Sequence, residues 1–253
     1  MTEFVRFLNG EKACYGVVRG EQVIALSGSI FTQWQETDEV FPSSAVRLLA
    51  PCEPSKVICI GLNYRDHAEE MKIPIPEKPV VFMKPSTAVV GPGERVIKPA
   101  MCRRLDYEAE LGVVIGRVTR HAEPGNAIEN VLGYVCGNDV TARDLQPKDG
   151  QWTVAKSFDT FCPLGPRIVS GIDPSDLEVK AFLNGQERQR STTAQLIFPV
   201  EYLVSYLSKV MTLLPGDVIL TGTPSGVGPM EPGDEIAIEI RHLGRLVNRV
   251  AAE

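Results

Sequence analysis

The 253-residue chain lacks most of the signatures by which a sequence declares its chemistry. Its six cysteines, at 14, 52, 59, 102, 136 and 162, form no Cys-x-x-Cys pair and no dense framework, which argues against a zinc ribbon or a disulfide scaffold. Most of them stand in apolar runs, as buried thiols in a reducing compartment do. Basic residues are scattered and the net charge is −6, so there is no nucleic-acid footprint. No uninterrupted apolar run is long enough to span a bilayer. The opening Met1-Thr-Glu-Phe-Val-Arg lacks the basic start and apolar core of a secretory signal. Neither a Walker ending nor a Gly-x-Gly-x-x-Gly fingerprint is present in the glycine-rich stretch 222–228. These absences leave the expectation of a cytoplasmic protein that engages neither nucleic acid nor membrane.

What is there suits a substantial core. With 43% hydrophobic residues, the length fits one large domain carrying a small appendage. Phe4–Leu8, Cys14–Val18 and Val23–Leu26 read as a three-stranded meander, separated by Asn9-Gly10 and Arg19-Gly20-Glu21. Residues 28–50 are poorly patterned. Pro51-Cys-Glu-Pro54 reads as a hinge, so a small N-terminal β domain is expected over 1–53 and a second domain over 54–253. Further strands are expected at Lys56–Ile60, Val80–Lys84, Trp152–Lys156, Val218–Thr221, Glu235–Ile240 and Leu246–Val250. Asn184-Gly185 marks a hairpin, and the apolar stripe over Pro199–Leu213 marks the best helix. Many strands, few helices and no regular β-α alternation argue against a doubly wound sheet and for an α+β, mainly β, fold.

The chain's chemistry centres on Asp106-Tyr-Glu-Ala-Glu-Leu111 and Gly137-Asn-Asp-Val-Thr-Ala-Arg-Asp-Leu-Gln146. On a strand, Glu108 and Glu110 point the same way. Two carboxylates on one face repel unless they lie in solvent, take up a proton or share a cation. Asp139 supplies a third carboxylate. At helical spacing it shares a face with Arg143 and Gln146, whereas Asp144 points away. Each feature alone has a plain structural explanation, a solvent-facing Glu pair and a helix N-cap. Together they favour a hard-metal site at Glu108, Glu110 and Asp139, and a carboxylate set without nearby His or Cys suits Mg²⁺ or Mn²⁺ rather than zinc. Asp106 shares the parity of the glutamates but lies about 13 Å along a straight strand from Glu110, too far for all three to ligate one ion, so it either starts the strand or supports the site from behind. Arg143 and Gln146 suit the distal polar group of a substrate, because Arg forks onto carboxylates and Gln donates to oxygen.

Between the strand at 56–60 and the proline-rich 72–79 lies Asn63-Tyr-Arg-Asp-His-Ala-Glu-Glu-Met71, a short helix with Asn63 as a candidate cap. It fits either a lid or an ordinary surface connection. His67 and Glu70 stand three apart, and a carboxylate beside an imidazole raises its basicity. From the residues alone, a solvent-facing His in a charged helix is the better account. His121 and His242 sit in polar, turn-like contexts and read as surface residues.

Tyr107-Glu-Ala-Glu-Leu-Gly, Gly137-Asn-Asp-Val-Thr-Ala-Arg-Asp, Lys156-Ser-Phe-Asp-Thr-Phe-Cys-Pro-Leu-Gly and Leu220-Thr-Gly-Thr-Pro-Ser-Gly-Val-Gly resemble the fumarylacetoacetate hydrolase family. The resemblance covers about three quarters of the chain in one order. It implies a rolled mixed β-sandwich core, usually a homodimer. It further implies catalytic roles for His67, Glu70 and Lys156, with Thr223 as a substrate contact. The expected activity is divalent-metal-dependent cleavage of a C–C bond of a small 2-oxo acid, by acylpyruvate hydrolysis or oxaloacetate-type decarboxylation through an enolate held by the metal. The alternative within the family is an isomerase or decarboxylase of a 2-hydroxymuconate-like diacid (2-hydroxyhepta-2,4-diene-1,7-dioate type) in aromatic catabolism. The alternative outside enzymes is a β protein with a structural cation.

Overall fold

A computed structural model describes every residue except Lys72, Ile73 and Asp149, and every remaining side chain except those of His67, Glu70 and Met71. The architecture is α+β and dominated by strands. Among the described residues, a twelve-stranded sheet, a three-stranded sheet and a five-stranded sheet are formed. The N-terminal β region is continuous with the largest of them, since Thr2–Asn9 pairs antiparallel with Cys162–Ser170.

The central strand Ala109–Ile115 is buried along its whole length. It lies between Val131–Asn138 and Val218–Leu220, both antiparallel to it. Its odd positions Leu111, Val113 and Ile115 face one core, with Val179, Ala181, Ile236 and Ile238 of the five-stranded sheet. Val114 faces a second core with Val135, Val218 and Leu220. A strand covered on both sides reads as a continuous apolar run, which is why Leu111–Ile115 carries no alternation. Full burial of each of these side chains contributes about 1.5–3 kcal/mol, so the strand is a rigid mount for Glu110.

The helix Val200–Val210 buries Val200, Leu203, Val204 and Leu207 and leaves Tyr202 and Lys209 partly exposed, as its stripe predicts. The hairpin Glu178–Leu183 to Gln186–Thr192 turns at Asn184 and Gly185, both at positive φ. Residues 28–50 hold a strand, Trp34–Pro42, that the pattern does not announce. It ends the twelve-stranded sheet, and most of its residues are exposed, so polar side chains replace the apolar alternation.

Two other expectations are corrected. Trp152–Lys156 is not a strand: Thr153–Lys156 is a single helical turn, with Val154 exposed and Lys156 buried. Five residues of mixed character suit either period, and local hydrogen bonding (Lys156 N–H to Trp152 C=O, 3.1 Å) decides for helix. Asn63 does not cap the helix Arg65–Met71. Its amide donates to the Phe198 and Thr221 carbonyls at 3.1 and 2.7 Å and accepts from Phe198 N–H at 2.8 Å.

Candidate metal centre and active site

Glu108 sits at a junction. Leu105–Tyr107 belongs to the three-stranded sheet, Ala109–Ile115 to the large one, and Glu108 is the residue between them. The pairing of Ala109 with Asn138 brings Asp139 opposite Glu108. Two bonds fix that placement: Asp139 N–H donates to the Glu108 carbonyl at 2.9 Å, and Glu108 N–H donates to Asn138 Oδ1 at 3.0 Å. Glu110 is held from the other side by Gly222 N–H, which donates to its Oε2 at 2.8 Å. Residues thirty positions apart thus converge, and one carboxylate oxygen from each of Glu108, Glu110 and Asp139 lies within 4.8 Å of the others.

The expected helical face from Asp139 to Gln146 is replaced by something shorter. The strand Val131–Asn138 gives way to a two-residue strand, Thr141–Ala142, and a 3-10 turn, Arg143–Leu145. β-Branched Val140 and Thr141 are both buried and hold this piece extended. Arg143 and Gln146 meet all the same: Arg143 Nη1 donates to Gln146 Oε1 at 2.6 Å. Arg143 also donates from Nε to Asp106 Oδ2 at 2.9 Å and from Nη2 to Glu108 Oε1. Asp106 is fully buried and takes a second bond from Arg104 Nε at 2.9 Å, so it anchors Arg143 and stays out of the carboxylate cluster. Because Arg143 only donates, Gln146 meets it through oxygen and keeps its amide N–H groups for another partner.

Lys156 is 2% exposed and bridges two of the carboxylates, with Nζ 2.8 Å from Glu108 Oε2 and 2.7 Å from Asp139 Oδ2. The Phe82 ring centroid lies 5.0 Å from the same nitrogen. Burial alone would lower the ammonium's pKa, but the charges of Asp139 and Glu108 outweigh it and raise it, so Lys156 stays cationic. Burial likewise pushes Glu108 up, and Lys156 and Arg143 pull it down to about 2. Glu110 goes the other way. Burial, then Asp139 and Glu108, hold its carboxyl well above the usual carboxylate range against the opposing effects of Lys156 and Gly222 N–H.

Lys84 ends the strand Val80–Lys84, a position from which a lysine usually snorkels to water. Here it is 1% exposed and donates to the carbonyls of Val140, Lys156 and Phe161 at 2.9, 2.6 and 2.8 Å. Its Nζ is also 2.7 Å from Asp139 Oδ1. Since its three N–H groups are spent on carbonyls, that contact is one of charge, and Asp139 Oδ1 stays buried without a hydrogen bond. The clue in the sequence is Pro85 directly behind it, which ends the strand inside the fold.

These observations fit a hard divalent cation. The donor set is all oxygen, Asp139 Oδ1 has an unused lone pair, and Glu110 is disposed to hold a proton where no cation replaces it. The cluster also opens into a cavity of about 60 Å³, lined further by Arg143, Gln146, Lys156, Thr223, Phe82 and Trp152. The geometry therefore gathers Glu108, Glu110, Asp139, Arg143, Gln146, Lys156 and Thr223 around one space. The side chains of His67 and Glu70 lie outside the described residues. His121 and His242 are exposed.

Known proteins bear on this site. Residues 56–251 match the family model described as fumarylacetoacetate (FAA) hydrolase C-terminal, and residues 3–51 match one described as Rv2993c-like, N-terminal. Among solved structures, a 5-carboxymethyl-2-hydroxymuconate delta-isomerase from Mycobacterium smegmatis is 44% identical with a TM-score of 0.93, covering 99% of this chain and 100% of that one. A maleylpyruvate hydrolase from Sphingobium sp. SYK-6, in complex with manganese(II) and pyruvate, is 30% identical with a TM-score of 0.81 and 99% coverage of both chains. The mitochondrial oxaloacetate tautomerase FAHD2A of Bos taurus is 43% identical over 224 residues, 83% of this chain and 71% of that protein. Among the described residues, no helix is long and apolar enough to cross a membrane. With a family model spanning most of the chain and a metal-ready carboxylate cluster open to a cavity, this is a metal-dependent enzyme that belongs to the fumarylacetoacetate hydrolase family.

Proposed function

We propose that the chain is a Mg²⁺- or Mn²⁺-dependent enzyme that breaks a C–C bond of a small 2-oxo acid, by acylpyruvate hydrolysis or oxaloacetate-type decarboxylation. The observation that carries this is the convergence of Glu108, Glu110 and Asp139 at the floor of a cavity whose walls hold cations and donors. Structural cation sites are closed, and this one is not. A bound divalent cation would supply Lewis-acid stabilisation of negative charge on the oxygens of a 2-oxo acid.

The chain's own groups do the rest. Lys156, held cationic between Glu108 and Asp139, faces the oxygen on which charge develops as the bond beyond the α-carbonyl breaks. Gln146 offers its amide N–H groups, which have no acceptor among the described residues, and Arg143 the unused part of its guanidinium fork, to the distal polar group. Thr223 lines the same cavity beside Gly222, whose amide holds Glu110, and contacts a carboxylate of the substrate. His67 and Glu70 take the proton-handling role that the family resemblance implies.

A second reading, isomerisation or tautomerisation of a 2-oxo acid or 2-hydroxymuconate-like diacid, is favoured by one comparison. The delta-isomerase and the tautomerase are 44% and 43% identical to this chain, whereas the hydrolase is 30% identical. We also propose a homodimer in the cytoplasm. Turnover of an acylpyruvate, oxaloacetate and a 2-hydroxymuconate-like diacid, each with Mg²⁺ and with Mn²⁺, separates the readings. C–C cleavage predicts pyruvate from the first two. Conversion of the diacid or of enol-oxaloacetate without loss of carbon would establish the second reading. In the cleaving enzyme, His67→Ala should lower acylpyruvate hydrolysis by about 10²–10⁴ and spare decarboxylation, which needs no attacking water.

A further inference from the structure

We infer that Gln189 is a positioning residue that turns the Thr223 hydroxyl into an obligate donor toward an anionic oxygen of the substrate; the inference rests on the reading of Thr223 as a substrate contact. Gln189 lies on the strand Gln186–Thr192 of the five-stranded sheet and is 1% exposed, between exposed neighbours at 188 and 190. Its side chain crosses to the catalytic strand and to the glycine-rich loop. The orientation of a glutamine amide is ordinarily assigned from its network, and here the network leaves one solution. Ala109 N–H, 3.0 Å away, only donates, so it must meet the amide oxygen. The Pro224 carbonyl, 2.9 Å away, only accepts, so it must meet the amide nitrogen. The nitrogen's other N–H then points at Thr223 Oγ1, 2.9 Å away, and the threonine oxygen is the acceptor in that bond.

A hydroxyl that accepts from a fixed donor has its own proton left to give. Among the described residues that proton has no hydrogen-bonded protein acceptor, and Thr223 lines the cavity with Glu108, Glu110, Asp139, Arg143 and Lys156. The loop that carries it is fixed on two further sides. Gly222 N–H is bonded to Glu110, and Tyr107 O–H donates to the Gly226 carbonyl at 3.1 Å. Gly226, at φ 90°, approaches the Arg188 carbonyl so closely that a Cβ would stand 2.3 Å from its oxygen. The loop and Gln189 are therefore one rigid assembly, and the direction of the Thr223 proton is set before a ligand arrives. Such a group selects a carboxylate, which only accepts.

The test uses the full chain, Mn²⁺ and oxalate as probe, with calorimetric titration of Mn²⁺ and then of oxalate into the Mn²⁺-loaded protein. In Gln189→Glu one oxygen still accepts from Ala109 N–H, but the other now draws the Thr223 proton away from the cavity. Gln189→Met, without charge and similar in volume, releases the hydroxyl and serves should the glutamate variant not fold. Thr223→Val and either Gln189 variant should each weaken oxalate about tenfold, the worth of one hydrogen bond to a charged group, with Mn²⁺ affinity unchanged. The double variant should bind oxalate no more weakly than Thr223→Val alone. Unchanged oxalate affinity in Thr223→Val would remove the substrate-contact reading itself. A weakened Thr223→Val beside an unaffected Gln189→Met, or additive losses in the double variant, would overturn the role given to Gln189.

Discussion

Lys84 and Asp139 form an ion pair in which both side chains are withdrawn from water, Nζ standing 2.7 Å from Oδ1. The lysine's hydrogen bonds go to backbone carbonyls, so its charge serves Asp139 while its protons tie together three segments around the site. Breaking this pair is costly because Asp139 keeps only Lys156, a cation it shares with Glu108, and three buried carbonyls lose their donor.

Lys84→Met should therefore destabilise the metal-free protein by about 3–5 kcal/mol. Saturating Mg²⁺ should narrow the gap, since a cation bound only by the folded state compensates Asp139 and stabilises by mass action. Thermal unfolding of wild type and variant, with and without Mg²⁺, checks this. A gap below 1 kcal/mol, or one that Mg²⁺ leaves unchanged, speaks against the assignment.

Glu110 sets the pH behaviour. Its carboxyl is raised in the fold by burial, Asp139 and Glu108, so the folded protein holds a proton that the unfolded chain gives up near the ordinary carboxylate pKa. A raised carboxyl contributes stability that is full below the unfolded pKa and is lost as pH rises through the folded value. Metal-free protein should lose stability over that rise, and Mg²⁺ should abolish the loss by displacing the proton. Glu108 has the opposite sign: its contribution is present above the ordinary range and lost only as pH falls toward about 2. Titrating Mg²⁺ in two buffers of different ionisation enthalpy, at a pH where Glu110 is protonated, should show about one proton released per ion. Zero release across that range contradicts the picture.

Arg143→Lys keeps the charge but not the planar fork that joins Asp106, Glu108 and Gln146. It should raise KM for a dicarboxylic substrate by roughly tenfold or more and change Mg²⁺ affinity much less. Equal losses in both would mean that Arg143 organises the carboxylates themselves.

The carboxylates Glu108, Glu110 and Asp139, with Arg143, Gln146, Lys156 and Thr223, are legible in the sequence through parity, spacing and motif; Lys84 and Gln189 are not. Glu108 and Glu110 share a parity, and parity survives the change of sheet between Tyr107 and Ala109. Helical spacing sets Asp139 beside Arg143 and Gln146; the backbone does not adopt that spacing, and the grouping holds because a 3-10 turn also returns the chain within a few residues. The motif identifies Lys156 even though its backbone is a helical turn and not the expected strand. Lys84 acts through Val140, 56 positions away, and Gln189 through Thr223 at 34 and Ala109 at 80, and local pattern carries no information over such separations. The strand Trp34–Pro42 is illegible for a related reason, since an exposed end strand has little apolar alternation to display.

The central claim is that Glu108, Glu110 and Asp139 together hold the catalytic cation, and anomalous diffraction from crystals grown with Mn²⁺ tests it most directly. The expected result is one strong manganese peak with an oxygen of each of the three carboxylates at about 2.0–2.2 Å, absent from Glu110→Gln crystals grown in the same way. A manganese peak elsewhere in the cavity, or one that Glu110→Gln leaves at full height, would contradict the account.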